Sequence, residues 1–271
     1  MLTNLQKRTA QAIVNVFETG EPTGNYGEVT FRKDDVGCLT FGRSQTTLAS
    51  GGLALLIAQY CSSPLATGAT ELRSYLTRLE ARDRSLDSDA KFTALLKRAG
   101  ADPAMRPIED DFFDRAYWNP AVRAAESLAV ESALGTAVVY DSFIHGAWAR
   151  LRDSTLARLG LPARASLPAI AAAPASDTGS THVGERTWIG KYLTLRREWL
   201  ANHSNPLLRR AVYRMDTFLA LTGASNWDLA LPLQAHGATI SEATFTLHPH
   251  NPPLVQASRY NQSASKLESD S

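Results

Sequence analysis

Apolar residues recur at helical spacing from the first turn of the chain. In MLTNLQKRTAQAIVNVF the positions Leu5, Ala12, Ile13, Val16 and Phe17 follow that period, with Lys7 and Arg8 among them. The pattern predicts a helix over residues 4–18, ended by Thr19-Gly20 and the Pro22-Thr23-Gly24 turn. Residues 26–31 then have strand character, and 38–41 is expected to pair with them across the polar loop 32–37. From Ser44 the signal turns helical. Helices are expected over 53–61, 69–82, 88–99, 107–117, 119–132, 134–150, 186–202 and 205–222, with Thr70, Asp87 and Asn205 as candidate openings. Helical periodicity on both sides of one short strand-like region predicts a mainly α (α+β) fold. Two helical lobes would flank a cleft, with a small antiparallel β element at 26–41 in one wall.

Two stretches break the pattern. Residues 160–180, rich in Ala, Pro and Ser, have no sustained period and are expected to form a surface loop or linker. The Pro-containing tail 246–271 is expected to be extended and partly mobile, which leaves 1–245 as a single domain of two lobes. Composition changes this picture only by exclusion. At 44% hydrophobic and 20% charged, the 271 residues can bury a core. With 28 Lys+Arg against 27 Asp+Glu, the charge balance argues against a nucleic-acid partner. No apolar run approaches the roughly 18 residues of a membrane span. Cys38 and Cys61 leave open one disulfide or two free thiols, and with no CxxC pair no zinc site is expected. The N-terminus does not resemble a signal peptide, so the expectation is either a protein working without that export route or a mature or excised domain.

The interval from Glu18 to Asp35 carries the most suggestive chemistry. Glu18 closes an apolar helix, where helix-end carbonyls and Phe17 disfavour its charged form, so its pKa is expected to rise. Asp35 lies across the β-like segment in a Gly-containing loop, where solvent and backbone N–H groups can keep it ionised. One protonated and one ionised carboxyl is what glycosidic bond cleavage requires. Competing patterns are weaker. His248 and His250 have no third metal ligand nearby, Phe41-Gly42-Arg43-Ser44-Gln45 lacks the second glycine of a nucleophile elbow, and no phosphate-binding glycine loop occurs. Arg196-Arg197 and Arg209-Arg210 fall on helical patterns and fit solvated faces or internal ion pairs better than nucleic-acid contacts.

Three separated segments add a family resemblance. They are FETG at 17–20 through DVGCLTFG at 35–42, LGTAVVYDSFIHG at 134–146, and GERTWIGKYLTLRREW at 184–199 through YRMDTFLALTGASNWDLALPL at 213–233. In this order and spacing they resemble the chitosanases of glycoside hydrolase family 46, in the lysozyme-like superfamily. The resemblance implies a lysozyme-like fold and an inverting, cofactor-free mechanism without a metal. It makes Glu18 the general acid, Asp35 the general base and Thr40 the hydroxyl that helps hold the attacking water. Inversion needs carboxylates roughly 6.5–9.5 Å apart, wide enough to admit that water. Asp141, Arg196 and Arg214 match a buried ion-pair network that supports the base from behind. Tyr26, Arg43, Gly52 and His145 are the expected substrate contacts.

The chain also departs from the family pattern. Gly37 replaces an arginine two positions after the base, and Phe31 replaces an acid four positions before it, so that Glu28 substitutes or the network is rewired. Gly51-Gly52 stands near the place of a carboxylate that reads the amine of glucosamine, which predicts weak discrimination between glucosamine and its N-acetyl form. The expected activity is endo-hydrolysis of β-1,4 bonds in an amino-sugar polysaccharide of the chitosan type. The alternative is a muramidase-like enzyme acting on the peptidoglycan of bacterial cell walls, in the manner of a delivered antibacterial effector domain. Retention of Glu18, Asp35 and Thr40 argues against a non-catalytic sugar-binding module. A monomer acting outside the producing cell on a polysaccharide, without membrane insertion, completes the expectation.

Overall fold

In the computed structural model, which describes residues 2–31, 38–43, 46–165 and 184–246, the first helix is fixed at both ends by its own sequence. This helix, α1 (Asn4–Thr19), opens with a reciprocal cap. Gln6 N donates to Thr3 Oγ1 at 3.2 Å, and Thr3 N donates to Gln6 Oε1 at 2.9 Å. It closes at Gly20, whose φ of +81° lets its N–H return to Val16 O at 2.9 Å. Residues 9–17 are all buried, so the helix runs through the interior and delivers Glu18 at its end.

The described chain divides into two units. The first comprises residues 2–25 and 117–246. Its central element is α8 (Ala133–His145), apolar on nearly every side and buried from Ala133 to Ser142. Around it pack α1, α7 (Asn119–Ser127), α9 (Trp148–Arg158), α10 (Glu185–Ala201) and α12 (Val212–Gly223). The core joins Ile13 and Phe17 to Leu134, Val138, Trp188, Tyr192, Met215 and Phe218. The short α11 (Pro206–Arg210) leads into α12. An antiparallel hairpin, β4 (Leu233–Ala235) and β5 (Ala238–Ile240), packs on α1 and precedes α13 (Glu242–Thr246).

The second unit comprises the described residues of 26–116. Its sheet has three short antiparallel strands, β1 (Val29–Thr30), β2 (Thr40–Phe41) and β3 (Thr46–Thr47). Thr30 faces Thr40, and Phe41 faces Thr46. Helices α2 (Gly52–Ser62), α3 (Ala69–Arg73), α4 (Leu76–Glu80), α5 (Ala90–Ala101) and α6 (Met105–Phe113) enclose Leu39, Phe41, Leu53, Ile57, Phe92 and Leu96. One buried carboxylate ties loops together. Asp102 accepts from Tyr60 Oη at 2.6 Å, from Thr67 N and Oγ1 at 2.8 Å each, and from Ala104 N at 2.9 Å. Burial opposes its charge, yet these donors hold its pKa down to about 2. Cys38 and Cys61 are buried and are not joined in a disulfide.

The expected mainly α chain with a small antiparallel element is what forms, and several boundaries move. The helix expected over 134–150 stops at His145 because Gly146 (φ +85°) and Ala147 (φ +66°) turn the backbone left-handed, and α9 is a separate helix. The stretch 69–82 divides at Ser74-Tyr75, where Tyr75 N–H bonds Leu72 O at 3.0 Å and the tyrosine ring stacks on Phe92. The stretch 205–222 divides at Ala211. Asn205 caps α11 as expected, through Leu207 N at 2.9 Å. Thr70 opens no helix, because α3 begins at Ala69 after Gly68. Asp89 rather than Asp87 caps α5. Asp87 is used elsewhere, accepting from Leu39 N at 2.9 Å and pairing with Arg84 at 2.8 Å. Strand β3 and the β4–β5 hairpin went unassigned in the sequence because their runs are only two and three residues long. Most of the loop expected at 160–180, and the tail after Thr246, lie outside the described residues.

Gly100 on α5 packs closely against the backbone before β1. A Cβ there would lie 2.3 Å from Gly27 Cα and 2.6 Å from Tyr26 O. Gly100→Ala is therefore expected to cost about 1–3 kcal/mol of unfolding free energy through overpacking. Gly190→Ala on α10, where a Cβ meets nothing within 4 Å, is expected to stabilise by about 0.5–1 kcal/mol. Denaturant titration of the two variants checks both signs.

Candidate active site

Glu18 emerges where α1 ends, on a side chain 21% exposed. Besides the helix-end carbonyls and Phe17, it meets a guanidinium from α12. Arg214 Nη1 donates to Glu18 Oε1 at 2.8 Å. The same side chain lies over the Phe17 ring, 5.0 Å from its centroid. On its other side Arg214 Nε donates to Asp141 Oδ1 at 2.9 Å, and Nη2 lies 2.7 Å from that oxygen. Asp141 is wholly buried on α8. Arg196, equally buried on α10, approaches its Oδ2 at 3.9 Å. Burial works against the Arg214 charge, and the two carboxylates more than offset it, so its pKa lies above the usual arginine range.

The three residues expected to form an ion-pair network thus form one. Its described contacts run to the carboxylate of Glu18, the residue assigned as acid, whereas the sequence reading directed the network at the base. The difference follows from connectivity. Arg214 enters at the start of α12, beside the end of α1, and Tyr213 just before it donates to Phe17 O at 2.9 Å. Removing one member of such a buried set leaves an uncompensated charge, at a cost of roughly 3–5 kcal/mol.

His145, four residues after Asp141, shares its face of α8. Its Nδ1 lies 3.2 Å from Arg196 Nη2, while Arg196 Nη1 donates to Gly146 O at 2.8 Å. Tyr192 Oη donates to Ser142 Oγ at 2.7 Å behind this pair. Neither Tyr192, Ser142 nor Tyr213 was anticipated. In the sequence they are ordinary members of apolar helices, and only the fold turns their hydroxyls toward the network.

In the second unit Thr40 is on β2, with its Oγ1 2.5 Å from Thr30 Oγ1 and 3.3 Å from Thr30 O. Asp35, and with it the loop 32–37, lies outside the described residues. Arg43, expected to touch substrate, is buried to 4% exposure. It forms an ion pair with Asp110, and its Nη1 donates to Tyr26 Oη at 3.4 Å. Tyr26 Oη in turn donates to Asp110 Oδ1 at 2.8 Å, and Arg106 covers the tyrosine ring at 4.5 Å. Burial, with Asp110 adding to it, pushes the Tyr26 phenol up to about 12. Gly52, also an expected contact, begins α2 after Gly51 (φ +80°). A Cβ at Gly52 would meet the Thr46 methyl at 3.0 Å and Ser50 Oγ at 3.2 Å.

Beneath this group lies Glu109, wholly buried on α6 and absent from the sequence expectations. Its Oε2 accepts from Arg43 N at 2.9 Å. A Cβ at Gly42 (φ +84°) would stand 2.6 Å from that oxygen, so only glycine lets the strand pass. The run Ile108-Glu109-Asp110-Asp111 gives no sign in sequence that two of its acids turn inward.

A carboxyl oriented by a buried arginine at the end of an apolar helix, in a mainly helical protein with a small sheet, is the equipment of a lysozyme-like glycoside hydrolase. The comparisons agree. The model of glycosyl hydrolase family 46 matches residues 12–233, and the chain belongs to that family. It is a glycoside hydrolase. A chitosanase of Bacillus subtilis (strain 168) is 28% identical over 236 residues, covering 84% of this chain and 80% of that protein. The native chitosanase of Bacillus subtilis MY002 superposes with a TM-score of 0.70 at 25% identity, covering 89% of this chain and 100% of that one. A mutant of the same chitosanase complexed with 6 GlcN gives 0.69 at 26% identity, with the same coverage.

Glu109 yields a prediction in pH. Burial pushes its carboxyl up to about 8, against the pull of the Arg43 N–H, from an ordinary value near 4.5. Between those values the folded state keeps a proton that the unfolded chain releases. The stabilisation is therefore complete below about pH 4.5 and is lost as pH rises through about 8. Glu109→Gln, which cannot ionise, is expected to flatten that slope. Unfolding free energies of wild type and variant across this range should diverge with pH, and a constant difference would contradict the assignment.

Proposed function

We propose that the protein is an endo-acting, inverting chitosanase that hydrolyses β-1,4 bonds of chitosan. The observation that carries this reading is the Glu18–Arg214–Asp141 chain of contacts in a member of family 46. Arg214 holds Glu18 Oε1, and among the described residues nothing takes Oε2, which is left to carry a proton to the leaving glycosidic oxygen. Asp141 already balances Arg214, so the arginine orients Glu18 without acting as its undivided counter-ion.

Asp35 is the general base in this scheme. It removes a proton from water as the water oxygen attacks the anomeric carbon and the bond to the leaving oxygen breaks. Thr40, its hydroxyl oriented by Thr30, accepts a hydrogen bond from that water. Arg43 and Tyr26 support the β2–β3 connection from within through Asp110. Gly52 itself carries no side chain to read the amine of the sugar. Curated and structural relatives named as chitosanases favour chitosan over the peptidoglycan alternative. A polymer of that size is cut outside the cell that secretes or delivers the enzyme, with the enzyme acting as a monomer. No described helix is long and apolar enough to cross a membrane.

Side-by-side digestion of chitosan and purified peptidoglycan, with the early anomeric protons followed by NMR, tests the reading. The expected result is chitosan oligosaccharides of inverted configuration. A retained anomer would mean a covalent intermediate, and activity on peptidoglycan alone would replace the substrate. Glu18→Gln and Asp35→Asn should each lower turnover by about 10²–10⁴-fold with the fold intact. Thr40→Ala should cost less, since it removes one hydrogen bond of about 0.5–1.5 kcal/mol. A Glu18 or Asp35 variant with wild-type turnover would remove that residue from the scheme.

A further inference from the structure

Two adjacent residues of α12 hold two adjacent residues of α1. Arg214 takes the carboxylate of Glu18, donating to Oε1 at 2.8 Å. Tyr213 takes the carbonyl one residue earlier, its Oη donating to Phe17 O at 2.9 Å. That carbonyl belongs to the peptide unit from which Glu18 grows. It is also among the last carbonyls of α1, which a helix leaves without an internal partner. The Gly20 N–H returns to Val16 O, and the Glu21 N–H goes to Thr19 Oγ1 at 3.4 Å, so neither closes on Phe17 O. The tyrosine hydroxyl supplies the donor that the helix cannot.

The phenol ring is itself fixed by two ring contacts. Phe17 meets it edge-on, with centroids 5.7 Å apart and planes at 73°. His236 stacks on it, with centroids 3.8 Å apart and planes at 22°. His236 and Gly237 form the two-residue turn between β4 and β5. Their φ values of +43° and +87° are of the kind that matches the twist of a tight hairpin. That hairpin packs on α1, so the tyrosine is held between the helix it caps and a turn anchored to the same helix. Burial pushes the Tyr213 phenol up, with Glu18 and Asp141 adding to it against the pull of Arg214, so the hydroxyl keeps the proton it donates.

We infer that Tyr213, braced by His236, is a positioning residue for Glu18, pinning the backbone from which the acid projects while Arg214 pins its carboxyl. The inference rests on the proposed activity for the role of Glu18 as proton donor. A single tether at the carboxylate leaves the side chain free to pivot about it. Tethers at both the Phe17 carbonyl and Oε1 fix the direction in which Oε2 faces the leaving oxygen. In this role the hydroxyl touches no reacting atom and transfers no proton. Its effect falls on the step that needs the acid, where a misplacement of about 1 Å costs on the order of 10²-fold in rate.

The test compares two leaving groups on the full chain. Chitosan needs a proton on its departing oxygen, whereas a dinitrophenyl glycoside of a glucosamine oligosaccharide releases a stable phenolate without one. Glu18→Gln sets the reference, losing turnover on chitosan and keeping most of it on the aryl glycoside. Tyr213→Phe keeps the ring and removes the hydroxyl. It should retain the fold and the wild-type KM while kcat on chitosan falls roughly 10-fold or more, with the aryl glycoside spared in the same way. His236→Ala, which leaves the hydroxyl in place and frees the ring, should show the same split to a smaller extent. A folded Tyr213→Phe with wild-type kcat on chitosan, an equal loss on both substrates, or a His236→Ala enzyme without the split would each overturn the inference. Failure of wild type to cleave chitosan would instead defeat the proposed activity. The clamp would then be read on the free enzyme, where the carbonyl carbon-13 signal of Phe17 should move in Tyr213→Phe, and an unmoved signal would overturn it.

Discussion

The contact on which the first unit's chemistry depends is a single arginine shared between two carboxylates. Arg214 donates to Asp141 in the interior and to Glu18 at the end of α1. Alone, a guanidinium this deep would cost several kcal/mol. Asp141 supplies the compensating charge, and Arg196 approaches Asp141 from the other side. The arrangement joins α1, α8, α10 and α12 through their polar groups where those helices also share their apolar core. Stability and geometry are therefore coupled there: what neutralises the buried charges also fixes where the Glu18 carboxyl points.

The second unit meets a similar problem with different means. Glu109 is accommodated by keeping its proton, pushed up to about 8, while Asp102 keeps its charge because Tyr60, Thr67 and Ala104 surround it with donors. Glycine is demanded where backbone must pass close to these groups, at Gly42 over Glu109. The second unit thus buries two carboxyls in opposite protonation states, Glu109 under the residue that follows β2 and Gly42, and Asp102 among the loops at 67 and 104.

Most helices were legible in the sequence because their apolar positions recur with a helical period, and α1 is legible to its last turn because Gly20 has to end it. What escaped was set by interactions between distant residues. Helix α8 ends early because of a left-handed Gly146-Ala147 step, which periodicity cannot register. The β4–β5 hairpin is too short to alternate visibly. The family's motifs grouped Asp141, Arg196 and Arg214, which do meet in one ion-pair cluster, and the motifs did not say that Arg214 touches Glu18. Arg43 looked available to substrate because its inward partner, Asp110, is 67 positions away. Glu109 had no signal at all, since a buried acid and a solvated one look alike in a helix of mixed charge.

In the proposed reaction Asp141 balances Arg214 and thereby leaves Glu18 free to act as a proton donor. The pH–rate profile of Asp141→Asn tests it most directly, with circular dichroism confirming the fold. The substitution keeps the shape and removes the balancing charge, so Arg214 becomes the undivided counter-ion of Glu18. The alkaline limb of kcat/KM on chitosan should then move to lower pH by about 1 unit or more, the size of effect expected of an adjacent unshared guanidinium. A folded Asp141→Asn protein whose alkaline limb coincides with that of wild type would contradict the account.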